Sequence, residues 1–472
     1  MTETSCNKET DKETDKETNK ETNKEFYSKL TKLMFPIAFQ ELMLAAVAAA
    51  DSFMLGRLDQ ISMAAVSLAT QIQFVQNMIF FAIMSAAIIL GAQYWGKKDR
   101  VAINNIFCHI LRITGVVSVV FCAACEIFPA QLMRLFTNEQ EMISIGASYL
   151  RIAGWSYLIT GVIQSYLSVM KITEHAKESS IISSAAVLIN IFINAVLIFG
   201  LFGFSRMGAD GAAIATLISR IIELGMVIGI SLSKTFGRTF VRPSISGLFH
   251  RNKVLAKDFT KCVLPLIGGS MLWTIGFTVY TSVMGHLGSD AAAANAVAAV
   301  VRDLMCCLCA GMASAGGIIV GNELGAGRLD VGRMYGRKLV IMSVIGGLIC
   351  CIIVLAVTVP VVRFMDLTDN AEGYLSQMMI VMAFYMIART FSQVVINGIF
   401  AAGGDTIFDM YSLVTCMWGV AIPLAVLGGF VFDWPVVAVY ACTCVDEMIK
   451  IPWEIAHYRK YKWVKDLTRE SY

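Results

Sequence analysis

The sequence predicts an all-α membrane protein of twelve transmembrane helices, in two parallel six-helix repeats around a central cavity. Three observations support this: an apolar composition, twelve long apolar runs, and similarity between the two halves of the chain. Hydrophobic residues make up 57% of the 472 residues and charged residues 15%. Because a soluble domain has about a quarter charged residues, this chain is too apolar to cover a water-facing surface of its size.

Each apolar run is long enough for one membrane-spanning helix, which needs about 20 residues. The connectors between the runs contain Gly, Pro and charged residues, which are typical of turns. Twelve helices are therefore predicted. The runs lie at approximately 33–55, 61–92, 103–126, 142–168, 180–202, 209–232, 262–286, 291–320, 339–362, 375–402, 409–431 and 435–456.

The distribution of Lys and Arg predicts the orientation of the helices. If the N-terminus is cytoplasmic, the loops and tail on that side hold 21 Lys and Arg residues, and the opposite loops hold four. Short cytoplasmic loops are enriched in these residues. We therefore expect a multi-pass protein of the cell (plasma) membrane with both termini in the cytoplasm.

The two halves of the chain resemble each other. Twenty residues lead from Pro36 to Gly56, and twenty lead from Pro265 to Gly285. Six helices per repeat would insert both halves in the same orientation, related by an axis along the membrane normal. The predicted divisions are a disordered cytoplasmic tail (1–28), an N-lobe with helices 1–6 (29–232), a basic cytoplasmic linker (233–261), a C-lobe with helices 7–12 (262–456) and a cytoplasmic tail (457–472).

Several function classes lack their sequence signals. The chain has no Walker A, HExxH or GxSxG motif, so neither ATP-driven pumping nor enzymatic hydrolysis is expected. The net charge of +3 is close to neutral and does not indicate nucleic-acid binding. Most of the thirteen cysteines lie in apolar runs without a second CxxC or paired histidines, so they are interpreted as small apolar side chains. No metal and no cofactor is predicted, and a monomer is expected.

Asp51 is the most informative charged residue. It follows the apolar stretch LMLAAVAAA in helix 1 and has no Lys or Arg within one helical turn. A charge inside the bilayer costs about 2.5–3.5 kcal/mol even on the insertion scale, so such a residue usually has a function. Binding of an ion or substrate is the favoured interpretation, and helix packing is the alternative.

Three neutral side chains could complete a site with Asp51. Asn190 and Asn194 are four residues apart on helix 5 and so share one face, and Thr216 lies on helix 6. Oxygen atoms of this kind suit a hard monovalent cation, or a carboxyl group that must hold a proton. The alternative is interhelical hydrogen bonding without a ligand.

Two further pairs of charges inside the helices are spaced so that they neutralise themselves. Arg220 and Glu223 are three residues apart on helix 6, and Asp446 and Lys450 are four apart on helix 12. These pairs are interpreted as structural.

Four other residues are candidates for the wall of the central cavity. Arg302 and Arg389 are basic residues within helices 8 and 10, and Trp273 is an aromatic residue in helix 7. Glu41 lies ten residues before Asp51 on helix 1. A part in gating or proton relay is one interpretation of Glu41.

Together these features resemble the multidrug and toxic compound extrusion (MATE) family. The resemblance covers about residues 30–455 and rests on several independent stretches, among them ELMLAAVAAADSFMLGRLD, GAQYWGKKD, LINIFINAVLIFG and GIFAAGGDTIFDMYSL. It implies a cation-coupled antiporter that exports amphipathic, often cationic, organic compounds. It also implies a cation site in the N-lobe formed by Asp51, Asn190, Asn194 and Thr216.

The chain departs from the family pattern at two places. Members with a well-formed sodium site often have Asp where this chain has Asn194, so the coupling ion is left open between sodium and the proton. Some branches have acidic residues on helices 7 and 10, where this chain has Trp273 and approximately Thr390. The resemblance therefore implies that coupling depends on the N-lobe.

Three other function classes match the sequence less well than export. A flippase for lipid-linked saccharides or peptidoglycan precursors, of the same fold superfamily, would need a cavity rich in Arg and Lys to hold pyrophosphate, and only Arg302 and Arg389 stand out within the helices. An ion channel would need a pore-lining ring, and a membrane enzyme would need a paired catalytic constellation. The sequence shows neither.

Overall fold

A computed structural model describes residues 24–47, 50, 54, 60–233, 241–244, 247–248, 252–365 and 367–469. The described part of the chain contains twelve long helices and no strand. They are α1 (Lys24–Val47), α2 (Gln60–Gly96), α3 (Arg100–Ile127), α4 (Gln140–Ile172), α5 (Ala176–Phe199), α6 (Gly208–Leu232), α7 (Lys253–His286), α8 (Ser289–Gly325), α9 (Leu329–Phe364), α10 (Asp369–Phe400), α11 (Ile407–Phe430) and α12 (Val436–Tyr458).

Ten of these helices are long and apolar enough to cross a membrane, judged by length and composition among the described residues. The other two, α4 and α12, have more polar sequences, and α12 carries a group of buried charges described below. The predicted all-α membrane fold is confirmed. Two helices contain wider π-helical turns, Val395–Phe400 in α10 and Leu413–Ala421 in α11.

Two predicted boundaries differ from the structure. The described part of α1 starts at Lys24, inside the segment predicted as tail, and its residues Phe26 and Leu30 are buried against the C-lobe. α7 begins at Lys253, inside the predicted linker, where the Asn252 side chain accepts hydrogen bonds from two backbone amides of the first turn. Charged residues within these turns made both segments look like loops. The Lys-Glu-Thr stretch before residue 24 lies outside the described residues.

The first helix of each lobe packs across onto the other lobe. The start of α1, with Phe26, Leu30 and Ile37, is buried with residues of α8, α9 and α10. In the second lobe the start of α7, with Phe259 and Leu266, is buried with residues of α2, α3 and α4. This reciprocal exchange is the arrangement expected of two related repeats, and it joins the lobes at one end.

α2 and α8 approach most closely at that same end. A side chain at Gly96 would overlap the backbone carbonyl of Asn322, and one at Gly325 would overlap the carbonyl of Gln93. Only glycine allows this approach of two helix backbones. At the opposite end the N-lobe and the C-lobe have separate apolar cores. The central cavity therefore lies between lobes that are joined at the predicted cytoplasmic end.

The chain after α12 forms a strap, residues 459–469, over the joined end. The Trp463 side chain is fully buried beside Gly336 of α9. The buried Gln93 side chain of α2 donates to the carbonyls of Ala402 and Lys465, at 2.7 and 3.1 Å, and accepts from the Leu467 amide at 2.6 Å. The strap therefore holds the C-lobe to α2 through hydrogen bonds to backbone atoms.

Arg469 completes the strap. It forms two hydrogen bonds of 2.8 Å each to the Asp258 carboxylate of α7, and its amide donates to the Tyr94 hydroxyl at 3.0 Å. A planar guanidinium paired with a carboxylate in this two-point geometry is directional as well as attractive. The strap is thereby fixed to both lobes.

Candidate functional site

A cavity of about 580 Å³ lies between the lobes, lined mainly by α1, α2, α4, α5 and α6, with α7, α8 and α10 on the opposite wall. Its apolar surface includes Phe80, Phe81 and three methionines, Met63, Met78 and Met84. Methionine and aromatic side chains can adapt to ligands of different shape. The cavity volume lies within the range of about 300–1,000 Å³ typical of small-molecule sites.

The three neutral residues proposed for the cation site come together in the N-lobe wall. Asn194 Nδ2 donates to Asn190 Oδ1 at 3.1 Å, and Asn190 Nδ2 lies 3.5 Å from Thr216 Oγ1. The Thr216 hydroxyl donates to the Ala212 carbonyl of its own helix at 3.0 Å. Asn190 and Thr216 line the cavity, and Asn194 lies fully buried behind them. This convergence of α5 and α6 could not be derived from the sequence.

Asp51, the fourth member of the predicted cation site, lies outside the described residues. The described part of α1 ends at Val47, which lines the cavity together with Leu44 and Glu41. α1 therefore forms part of the same wall as Asn190 and Thr216. The role of Asp51 remains a prediction from the sequence.

Two pairs of opposite charge also line the cavity. Lys171 Nζ, in the last turn of α4, lies 4.0 Å from Glu41 Oε1 of α1. Arg220 and Glu223 of α6 form the predicted pair, with 2.5 Å between Nη1 and Oε2. The charged side chains described in the cavity wall thus balance one another.

A buried polar network connects Glu223 to α1. Gln40 Nε2 donates to Ser183 Oγ of α5 at 2.9 Å, and the Ser183 hydroxyl donates to Glu223 Oε1 at 3.3 Å. Sequence reasoning missed Gln40 and Ser183, as well as Lys171, which it placed in a loop. A glutamine next to Glu41 in an apolar run was the available signal, because a buried amide needs partners.

Trp273, Arg302 and Arg389, three of the predicted cavity residues, do not line this cavity. They form a separate group in the C-lobe, where Trp273 stacks on Phe277 with 5.3 Å between ring centroids. Arg302 Cζ lies 4.3 Å from the centre of the Phe277 ring, and Arg389 Cζ lies 6.0 Å from that of Trp273. Of the four predicted cavity residues, Glu41 alone lies in the wall, because spacing along one helix does not show which lobe a side chain faces.

Arg389 belongs to a buried ion-pair group on α10 and α12. Its Nη1 lies 2.5 Å from Glu447 Oε1, and Lys450 Nζ lies 3.3 Å from Glu447 Oε2. The predicted Asp446–Lys450 pair is therefore wrong. Asp446 Oδ1 instead accepts a hydrogen bond from the Glu447 amide at 2.8 Å. Arg389, 58 residues away along the chain, could not be identified as a partner from helical spacing.

Comparison with known proteins identifies the same two repeats. The sequence model of the MatE family matches residues 36–196 and 265–427. The matches begin at residues 36 and 265, the positions of the two corresponding prolines noted in the sequence. Together they cover more than half of the chain, and the predicted repeat is supported by their number and spacing.

Similar proteins are found along nearly the whole chain. An uncharacterised transporter of Bacillus subtilis, YisQ, is 23% identical over 92% of this chain and 95% of its own length. The probable multidrug resistance protein NorM of Thermotoga maritima is 21% identical over 94% of each chain. Among solved structures, a Vibrio cholerae MATE transporter, VcmN, has a TM-score of 0.84 at 16% identity and covers 93% of this chain and 97% of its own. This structural match shows the fold.

Proposed function

The chain belongs to the MatE family of multidrug export transporters, and from this premise we propose that it is a secondary active antiporter that exports amphipathic organic cations in exchange for sodium ions or protons. We propose a plasma-membrane location with both termini in the cytoplasm, as the Lys and Arg distribution predicts. The observation that supports the coupling site is the convergence of Asn190, Asn194 and Thr216 at the cavity wall.

The charge balance of the cavity supports a specific role for Asp51. Glu41 and Glu223 are each paired with a basic residue, Lys171 and Arg220, so these side chains give the cavity no net charge. A preference for cations then depends on Asp51. Exchange requires that the drug and the coupling ion compete, and one carboxylate would supply this competition, since each then binds less well when the other is bound.

The structure gives little support to the flippase alternative. A pyrophosphate group would require several unpaired basic side chains in the cavity. Lys171 and Arg220 lie near carboxylates, and Arg302 and Arg389 do not line the cavity. The charge-balanced lining of the cavity, with its aromatic and methionine side chains, is better suited to a small amphipathic compound than to a pyrophosphate group.

Transport by the purified protein in proteoliposomes tests the proposal. We expect inward or outward movement of ethidium, a lipophilic cation, when either a sodium or a pH gradient is imposed, and much less movement of an anionic dye of similar size. The aromatic side chains in the wall, Phe80 and Phe81, add an attraction for cations of about 0.5–2 kcal/mol. The antiport proposal would be contradicted by equal transport of both dyes, or by a transport rate that depends on neither the sodium gradient nor the pH gradient.

The coupling ion can be identified with Asn190→Leu. If sodium is the ion, this variant should need a higher sodium concentration for half-maximal export, because one oxygen ligand is lost. If the proton is the ion, the pH profile of export should shift and sodium should have no effect. Export is measured in proteoliposomes over a series of sodium concentrations and pH values.

Thr114→Val is the matched control for this experiment. Thr114 of α3 is also buried in the N-lobe, where its hydroxyl bonds to the Ile110 carbonyl at 2.8 Å and lies 3.1 Å from Ser165 Oγ, but it does not line the cavity. The control should keep the ion dependence of the unmodified protein. If Asn190→Leu, Asn194→Leu and Thr216→Val all behave like this control, the proposed N-lobe site is wrong.

A further inference from the structure

A second group of titratable side chains lies in the C-lobe, away from the cavity wall. On α12, Glu447, Lys450, Glu454 and His457 follow one another at spacings of three, four and three residues, so they share one face of the helix. Glu447, Lys450 and Glu454 are fully or almost fully buried. This face packs against α10 and α11 rather than against lipid.

Both cations in this group form ion pairs with the same carboxylate. Arg389 and Lys450 both pair with Glu447. Three further carboxyl groups, those of Asp409, Asp446 and Glu454, form no ion pair among the described residues. The group as a whole therefore has two more carboxyl groups than cations.

Glu454 is the most isolated of these carboxyl groups. Its side chain is completely buried, and neither Oε1 nor Oε2 has a hydrogen-bond partner in the described structure. The nearest cation on α12, Lys450, is paired with Glu447, so an ionised Glu454 would be poorly compensated for the loss of its hydration, and a buried group of this kind becomes neutral instead. Binding of a proton to Glu454 removes the free-energy cost of burying an ionised carboxylate.

The surroundings of Glu454 include titratable groups from every helix packed against α12. The groups that act on it directly are Glu447, Lys450, Asp409 of α11 and the Ser392 hydroxyl of α10. The same buried group also includes Arg389 and Tyr385 of α10, Cys416 of α11, Tyr280 of α7, and Cys444 and Asp446 of α12 itself.

A route for the proton begins one helical turn beyond Glu454. His457 Nε2 lies 2.6 Å from Asp405 Oδ2, in the turn between α10 and α11. The two side chains are 16% and 23% exposed, so they contact solvent at the end where the lobes are joined. Phe408 stacks on the His457 ring, with 4.4 Å between the ring centroids, and holds the imidazole in place on the face of α12 that carries Glu454.

A metal cation is a poorer match to this group than a proton. Among the described residues, no three carboxylate, thiol or imidazole groups lie close enough together to bind a metal ion. A proton needs one carboxyl group and no cage of ligands. We propose that Glu454 is a proton-binding site in the C-lobe, loaded through the His457–Asp405 pair, and that it contributes a proton to antiport. The last part of this inference rests on the proposed function.

Infrared spectroscopy of the purified protein tests the proton on Glu454 without any transport. At neutral pH we expect a protonated-carboxyl C=O band that disappears in Glu454→Gln and changes in frequency in Glu454→Asp. Glu323→Gln is the matched control, because Glu323 is also buried but accepts from Arg328 at 2.6 Å and should contribute no such band. An unchanged band in both Glu454 variants would overturn the assignment.

Transport tests the coupling part of the proposal. With a pH gradient as the driving force, export of ethidium by Glu454→Gln should fall by about 5–150-fold, the range of a typical coupling free energy. Glu323→Gln should retain pH-driven export. Loss of the infrared band with unchanged export would overturn the coupling role and leave the proton site in place. If the unmodified protein transports no dye under any gradient, the proposed antiport fails, and the infrared band still decides the assignment of Glu454.

Discussion

Replacing Asp51 by asparagine is expected to abolish export while leaving the protein folded and inserted in the membrane. The side-chain shape is retained and only the charge is lost. Because a charge inside the bilayer costs about 2.5–3.5 kcal/mol on the insertion scale, its removal should not impair insertion. The measurement is ethidium export in proteoliposomes, together with the amount of monodisperse protein after purification.

Asp330→Asn is the control for the Asp51 substitution. Asp330 lies in the first turn of α9 with an almost fully exposed side chain, 3.7 Å from Arg333. Exposed ion pairs of this kind contribute about 0–1 kcal/mol, so the control should transport normally. Normal transport by Asp51→Asn would remove the basis of the proposed cation site. Asp51 and the control both failing would indicate a general sensitivity to loss of acidic residues.

Replacing Arg389 by methionine is expected to cause a large loss of stability. The substitution removes the Arg389–Glu447 ion pair, whose side chains are 18% and 2% exposed, and leaves Glu447 with Lys450 as its remaining partner. Breaking a buried ion pair costs about 3–5 kcal/mol. We expect the lower end of this range, because Lys450 still compensates part of the Glu447 charge. The thermal unfolding midpoint of the detergent-solubilised protein should therefore fall strongly.

The double substitution Arg389→Met with Glu447→Leu separates loss of the pair from loss of packing. Removing both partners leaves no excess carboxylate at this position, although Lys450 then loses its partner in turn. We expect the double variant to recover part of the stability lost by Arg389→Met. A double variant that is as unstable as the sum of both single variants would show that Arg389 and Glu447 do not act as a pair.

The fold could be predicted from the sequence to a large extent, because the signals for it are local. Each apolar run predicts one helix, and the spacing of Pro36 and Pro265 predicts the repeat that the family comparison also detects. Errors occurred where helices extend beyond the apolar runs. The described part of α1 includes a polar turn from Lys24 whose Phe26 is buried, and α7 begins at Lys253 with a turn capped by Asn252; the local pattern reveals neither contact.

The candidate site was less predictable, because it depends on contacts between distant parts of the chain. Asn190 and Asn194 could be placed on one face from their spacing, but their approach to Thr216 could not. The spacing of Asp446 and Lys450 suggested a pair, whereas Glu447 attracts both Lys450 and Arg389. Helical spacing identifies possible partners on one helix and gives no information about partners on the next.

The way in which the strap is held affects which contacts can be detected from correlated substitutions in related sequences. Gln93 holds the strap through the backbone atoms of Lys465 and Leu467 and also donates to the Ala402 carbonyl, and none of these hydrogen bonds involves a side chain of the strap. Residues 465 and 467 can therefore change identity without loss of the contact, while Gln93 itself cannot. Correlated substitutions, which report contacts between side chains, will therefore not detect this junction of the two lobes, even though the Gln93 side chain at its centre is fully buried.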